Sequence, residues 1–412
     1  MGPSNLLSAV NRGLCLAFLL SKAVASVVPR AAYPGHDPVL VIDTFKRADR
    51  NDLGFWHGGG ENMPLQWGDG YVEFSPTNAD QNFHTQLTSS CIDLTPYKDM
   101  YLHIVSEGAS HFTISLTQNN PQCDSYRNPY PETWDDVEAM RYMRGNDIYI
   151  PLSHFNIDHT HALSVSFKGF YMPEKLKLSK VEITATKPDK FRIPKKLPTG
   201  KLFLRCKRPN SFAFGIDDGS PELGREIMNI LADEGINATF FTVGNGMAAA
   251  NTAWSDLYRD MARRGHQIAL HTWSHPRMEG LKTTEEIDQE ILRNLQVMKE
   301  KLRLKSRYFR PPYGVVGART RQRLAALIQD PYIINWSVDI QDWLWAGTPT
   351  PEKQLEAFQR DVDKGGDLVV MHFFSRDTVM YTKQVIDIAR KTGKRIMRVD
   401  QCMEDPEAPP LD

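Results

Sequence analysis

The sequence predicts two domains of different class, an antiparallel β-sandwich of jelly-roll type followed by a distorted (β/α)-barrel. Three observations carry this. Short strand-like runs separated by turn clusters fill residues 33–188, whereas apolar strands alternating with amphipathic helices fill residues 206–402. Between them, residues 189–205 carry Pro194, Pro198 and several lysines, the composition of a connector. A chain of 412 residues is long enough for two sizeable cores. Formal net charge is -1, with 24% charged residues, so composition gives no footing for a nucleic-acid partner or an electrostatic membrane anchor. The expected state is a monomer without a membrane span.

The chain begins with Arg12, a short apolar run from Leu14 to Leu20, and Ala23-Val24-Ala25, a small-x-small pattern. Residues 1–25 therefore read as a secretory signal peptide, too short to be a spanning helix, and the expected location is extracellular, with cell-wall association as a variant. Residues 403–412 form a tail with no apolar segment. Loss of Cys15 with the signal leaves Cys91, Cys123, Cys206 and Cys402, an even number that favours disulfides in an exported chain. Three pairings are open. Cys91–Cys123 within the first half and Cys206–Cys402 across the second are expected, the longer closure stabilising by roughly 4 kcal/mol or more on the chain-entropy model.

In the first half, strands are expected at Val39–Phe45, Tyr71–Phe74, Tyr101–Val105, Phe112–Leu116, Asp147–Ile150, Leu163–Phe167 and Leu176–Thr184. Alternation such as Phe112-Thr113-Ile114-Ser115-Leu116 marks a sheet with one buried face. The one helical pattern expected here is Asp135–Tyr142. The strand order resembles galactose-binding-like carbohydrate-binding sandwiches, which makes Trp56, Trp67, Trp134, Tyr126 and Tyr130 candidates for sugar stacking, with core or loop-anchoring roles as the alternative. His159 and His161, two apart in a polar turn, read as a solvated loop.

In the second half, strands are expected at Phe212–Ile216, Thr239–Val243, Gln267–Leu270, Tyr308–Phe309, Ile333–Val338, Leu368–Met371 and Ile396–Val399. A helix with Ile287, Ile291, Leu295, Met298 and Leu302 on one face opens at Thr283 and Glu286 with a capping-box pattern. Alternation of this kind implies a parallel sheet. The unusual polar residues all follow strands: Asp217 and Asp218 the first, His271 and His275 the third, Arg310 the fourth, Asp339 and Asp342 the fifth, and His372 the sixth. The C-terminal ends of strands are where β/α barrels gather their chemistry. Two histidines and a carboxylate leave coordination positions open for water and substrate, which is the pattern of a catalytic metal site.

Five segments in order carry a family resemblance: Ile216-Asp217-Asp218-Gly219, His271-Thr272-Trp273-Ser274-His275, Arg310-Pro311-Pro312-Tyr313-Gly314, Asp339-Ile340-Gln341-Asp342-Trp343 and Val370-Met371-His372. The second half resembles the polysaccharide deacetylases of the NodB homology domain, the fourth carbohydrate esterase family. That resemblance implies a divalent metal on Asp218, His271 and His275, zinc in the first place and cobalt as the alternative. It also implies Asp217 as general base, Arg310 as the group that orients it, and the backbone N–H of Tyr313 as an oxyanion donor. His372 would be the general acid, kept charged by Asp339, and Trp343 and Pro312 would border the substrate. The implied reaction is removal of N-acetyl groups from an N-acetylated polysaccharide or oligosaccharide, chitin first. An O-acetyl esterase acting on xylan and a catalytically idle carbohydrate-binding wall protein are the competing readings.

Departures from the family pattern surround the chemistry. Gly215-Ile216 stands where Thr-Phe is usual, Ser220 separates Gly219 from Pro221, and Val370 replaces a leucine. Phe373 follows the histidine where an acid is frequent, which is expected to alter access near His372. Gly219 is expected to let the chain turn so that both aspartates face one site.

Overall fold

Residues 39–250 and 252–411 are described by the computed structural model, and the expected signal peptide lies outside them. The first part contains strands β1 (Val39–Asp43), β2 (His57–Gly60), β3 (Leu65–Gly68), β4 (Tyr71–Phe74), β5 (Asn82–Gln86), β6 (Tyr101–Gly108), β7 (Thr113–Gln118), β8 (Thr133–Glu138), β9 (Met143–Arg144), β10 (Asp147–Pro151), β11 (Ala162–Lys168) and β12 (Leu176–Thr184). One antiparallel sheet runs β3-β4-β12-β6-β10-β9 with β1 on β12, and the other runs β2-β5-β11-β7-β8. Alternate residues of both, among them Phe74, Ile104, Leu116 and Phe167, meet in one apolar core. Cys91–Cys123 staples this part as expected.

All seven expected strands are present, and β2, β3, β5, β8 and β9 lie outside them. Their Gly58-Gly59-Gly60 and mixed polar runs carry little strand propensity, so pairing with neighbours decides them. The helix expected at Asp135–Tyr142 is a correction. Residues Thr133–Glu138 pair with β7 along their length, and only Ala139–Tyr142 make a single helical turn. Asp135 and Asp136 are buried there, because basic side chains from elsewhere in the fold neutralise them.

The second part adds β13 (Lys201–Phe203), β14 (Ser211–Gly219), β15 (Thr239–Thr242), β16 (Gln267–Leu270), β17 (Tyr308–Phe309), β18 (Tyr332–Ile334), β19 (Val338–Asp339), β20 (Leu368–Phe373) and β21 (Arg395–Met397). The parallel sheet runs β13-β18-β17-β16-β15-β14-β20-β19, with β21 on β14. Among the described residues, β13 and β19 end the sheet unjoined, so the barrel is open. The single strand expected at Ile333–Val338 is in fact two, β18 next to one end of the sheet and β19 at the other, after the chain breaks at Asn335–Ser337. Helix Thr284–Val297 opens with the expected capping box of Thr283 and Glu286. The Cys206–Cys402 disulfide closes a separation of 196 residues.

The stretch expected as a connector does structural service, since its residues Lys201–Phe203 are a sheet strand paired parallel to β18. The two sheet systems fall in one compact unit and share a buried polar seam. Arg321 bridges Asp135 at 3.2 Å and Asp136 at 2.9 Å, and it also donates to the carbonyls of Trp134 and Gly200. Thr113 of β7 accepts from the Ala318 N–H, the first residue of helix Ala318–Leu327. At the open side of the barrel, Thr133 donates to the Leu202 carbonyl beside one sheet end and Asn128 to the Ser337 carbonyl beside the other.

Candidate metal and active site

The site is built where β14 and β20 run side by side. Asp217 registers with His372 and Gly219 with Phe373, leaving Asp218 as a bulge residue. Neighbouring side chains on a regular strand point to opposite faces, and the bulge removes that constraint, so Asp217 and Asp218 both reach the same cleft.

Asp217 is almost wholly buried, and one of its oxygens accepts from the Arg310 guanidinium at 2.8 Å. Arg310 is completely buried. It also donates to the carbonyls of Ile334, Asn335 and Val369, and its guanidinium lies 4.2 Å from the Phe241 ring centre. Four of its five N–H groups are thereby committed, and the arginine acts as a fixed positive charge behind Asp217. Gly215 makes room for it: a Cβ there would stand 2.4 Å from the guanidinium. The departure from Thr-Phe at this position therefore serves packing around Arg310.

Asp218, His271 and His275 bring one ligand atom each within 4.8 Å of one another. His271 is buried, with Nδ1 2.7 Å from the Arg310 carbonyl oxygen, which leaves Nε2 facing the cleft, 3.7 Å from Asp217. His275 Nε2 lies 3.3 Å from Asp218. Burial and the neighbouring His271 hold the His275 pKa below its ordinary value, which favours the neutral ring a metal requires. An orienting carbonyl on one histidine, free Nε2 atoms and a carboxylate fit a divalent cation. Thr272 and His275 take left-handed backbone conformations at φ 67° and 62°. The loop is pinned by two helical residues that the sequence did not single out. Asn294 donates to the Thr242 and Thr272 carbonyls, and Glu290 accepts from Ser274.

On the opposite wall, His372 does not pair with Asp339. Its Nδ1 lies 2.8 Å from Asp342, which also accepts from the His372 backbone N–H at 2.7 Å. Gln341 turns the chain with φ 56° and brings Asp342, fully buried, under the imidazole. Asp339 instead accepts from the Gln341 N–H and lies 3.4 Å from the Trp343 indole nitrogen, so it steadies the tryptophan. Burial alone would lower the His372 pKa, but Asp342, with Asp217 and Asp218, pushes it up to about 9. Burial raises Asp339 to about 6.

Trp343 is 62% exposed and Tyr313 50% exposed at the mouth, whereas Pro312 is buried and offers little to a ligand. Phe373 also differs from expectation. It is buried against Phe240 and Trp254, because strand alternation turns it away from His372. The aromatic beside His372 is Phe374, its ring centre 5.1 Å from the imidazole and its surface 45% exposed. Gly219 serves this packing too. A Cβ there would lie 2.1 Å from the Phe373 ring, and the residue is not among those with positive φ, so space rather than turning is its role. Of the sandwich aromatics, Trp56 and Tyr126 are well exposed, while Trp67 packs on the core and Trp134 on the barrel beneath Lys168.

Residues 205–329 match the polysaccharide deacetylase family model. A chitin deacetylase of Colletotrichum lindemuthianum is 27% identical over 218 residues, covering 51% of this chain and 86% of that protein. A peptidoglycan-N-acetylglucosamine deacetylase of Listeria monocytogenes is 24% identical over 240 residues, 58% of this chain and 48% of that protein. The solved chitin deacetylase from Colletotrichum lindemuthianum covers 51% of this chain and 95% of its own, at 26% identity and a TM-score of 0.47. The family match lies in the second part of the chain, the part that carries the cleft.

Proposed function

We propose that this protein is a secreted, metal-dependent deacetylase that removes N-acetyl groups from an aminoglycan such as chitin or its oligomers. One observation carries the reading. Two oppositely organised proton carriers, Asp217 backed by Arg310 and His372 backed by Asp342, flank a three-ligand cluster in one cleft. Asp218, His271 and His275 would hold the cation, zinc in the first place, which supplies Lewis acidity when bound.

Asp217, oriented by Arg310, accepts the proton of the attacking water. The Tyr313 backbone N–H donates to the oxyanion as the carbonyl carbon becomes tetrahedral. His372 has Nδ1 committed to Asp342, so Nε2 delivers its proton to the leaving nitrogen as the C–N bond breaks. Acetate and a free amine result. Trp343, held from behind by Asp339, walls the side of the cleft that receives the acetyl methyl.

Asp217→Asn is expected to cut acetate release from N-acetylglucosamine oligomers by about 10²–10⁴-fold, the usual worth of a general base, while metal content stays near that of the wild type. Metal-loaded wild-type protein that releases no acetate from any N- or O-acetylated glycan would overturn the reading. Release from acetylated xylan but not from chitin oligomers would redirect it to O-deacetylation.

A further inference from the structure

Beyond the five segments, the sandwich reaches the mouth of the cleft through Asp80. Arg277, two residues past His275, stacks its guanidinium 4.0 Å from the Tyr313 ring centre, and that ring lies 4.8 Å from the His275 ring. Asp80, in the turn before β5 of the sandwich, accepts from Arg277 Nε at 2.6 Å, across 197 residues of sequence. The second Asp80 carboxylate oxygen is buried without a partner, so the arginine supplies what compensates this acid. The turn itself is pre-formed, with Asn78 accepting from the Asp80 and Gln81 N–H groups, and Ala79 packs near Gly280.

Arg277 remains 44% exposed on its side chain, and only its Nε is committed to Asp80. A guanidinium held over a ring, partly exposed and with its terminal N–H groups outside the bond to Asp80, is a preorganised donor for hydroxyl and acetamide oxygens. It sits one ring beyond His275, outside the reach of the acetamide at the metal ligands. We propose that Arg277, fixed by Asp80 and Tyr313, is a positioning residue for the sugar unit adjoining the one that is deacetylated, so that the sandwich completes the substrate cleft. The ligand class is an extended, N-acetylated and therefore uncharged aminoglycan. This rests on the deacetylase reading above.

The test compares N-acetylglucosamine itself and a five-sugar N-acetylglucosamine oligomer on the full, metal-loaded chain. Arg277→Met is expected to raise KM for the five-sugar substrate by about ten-fold, a loss of about 1.4 kcal/mol, with kcat and the single-sugar KM within about two-fold of wild type. Arg277→Lys should recover part of the loss, and Asp80→Asn should produce part of it at unchanged melting temperature. An unchanged five-sugar KM, or an equal rise for both lengths, overturns the proposal. Calorimetric binding in an Asp217→Asn background separates it from the deacetylase reading. Arg277-dependent binding of the five-sugar oligomer without wild-type turnover counts against deacetylation alone, and binding of neither sugar overturns the role of Arg277.

Discussion

The two walls of the cleft solve one problem in different ways. Arg310–Asp217 is a permanent charge pair sealed from water, with side-chain exposures of 0% and 4%. His372–Asp342 leaves the histidine 18% exposed while its aspartate is fully covered. Arginine does not lose its proton in the working range, so the first wall carries a fixed cation. In the proposed reaction the histidine gives a proton away and recovers it, so the second wall uses a titratable cation whose set point is tuned by a buried anion. Under that reading a shared carboxylate–cation motif serves as a base on one side and an exchangeable acid on the other.

The comparison breaks most severely at Arg310. Arg310→Met would leave Asp217 buried beside three carbonyls without its cation, and loss of one partner of a buried pair costs about 3–5 kcal/mol. Chemical denaturation should show that loss, and acetate release should vanish with it. Unchanged stability would contradict the sealed character of this wall.

A smaller and more specific effect is expected at Asp342. With His372 at about 9, the rate should hold on the acid side of that value and fall as pH rises through it. Asp342→Asn removes the main upward influence and leaves burial, so the limb should move to or below the ordinary histidine value of about 6.5. At pH 8 the rate should then drop by more than about ten-fold. The same raised pKa contributes stability that is full below about 6.5 and is lost as pH rises through about 9. A pH–rate profile unchanged by Asp342→Asn would return the histidine to a different partner.

The spacing between the walls is held at Gly219. Gly219→Ala should push on the buried Phe373 ring and cost about 1–3 kcal/mol, the usual penalty of overpacking. If the turn were its role, Phe373→Leu would not rescue the variant. Recovery of stability in Gly219→Ala with Phe373→Leu is the expected result.

Much of this was legible in the sequence for local reasons. Strand alternation, helix periodicity and the capping box at Thr283 depend on residues a few positions apart, so they are readable from the chain. The placement of Asp217, Asp218, His271, His275, Arg310 and His372 at strand ends was readable for the same reason. Choices between near-equivalent partners were not. Asp339 and Asp342 both follow β19 or end it, and only the left-handed turn at Gln341 decides which one lies under His372. Asp135 and Asp136 read as helix-surface acids until Arg321 arrives from a distant helix.

By itself, then, the sequence determined the two sheet types and the identity of the charged residues at strand ends. These follow from residue type and short-range period, whereas the disulfide pairing was one of three open to it. Only the tertiary structure decided that the barrel is open, that Gly215 and Gly219 are spaces for Arg310 and Phe373, and that Asp80 grips Arg277 beside the cleft. Each of those depends on groups far apart in the chain meeting at van der Waals or hydrogen-bond distance, and no local pattern encodes such a meeting.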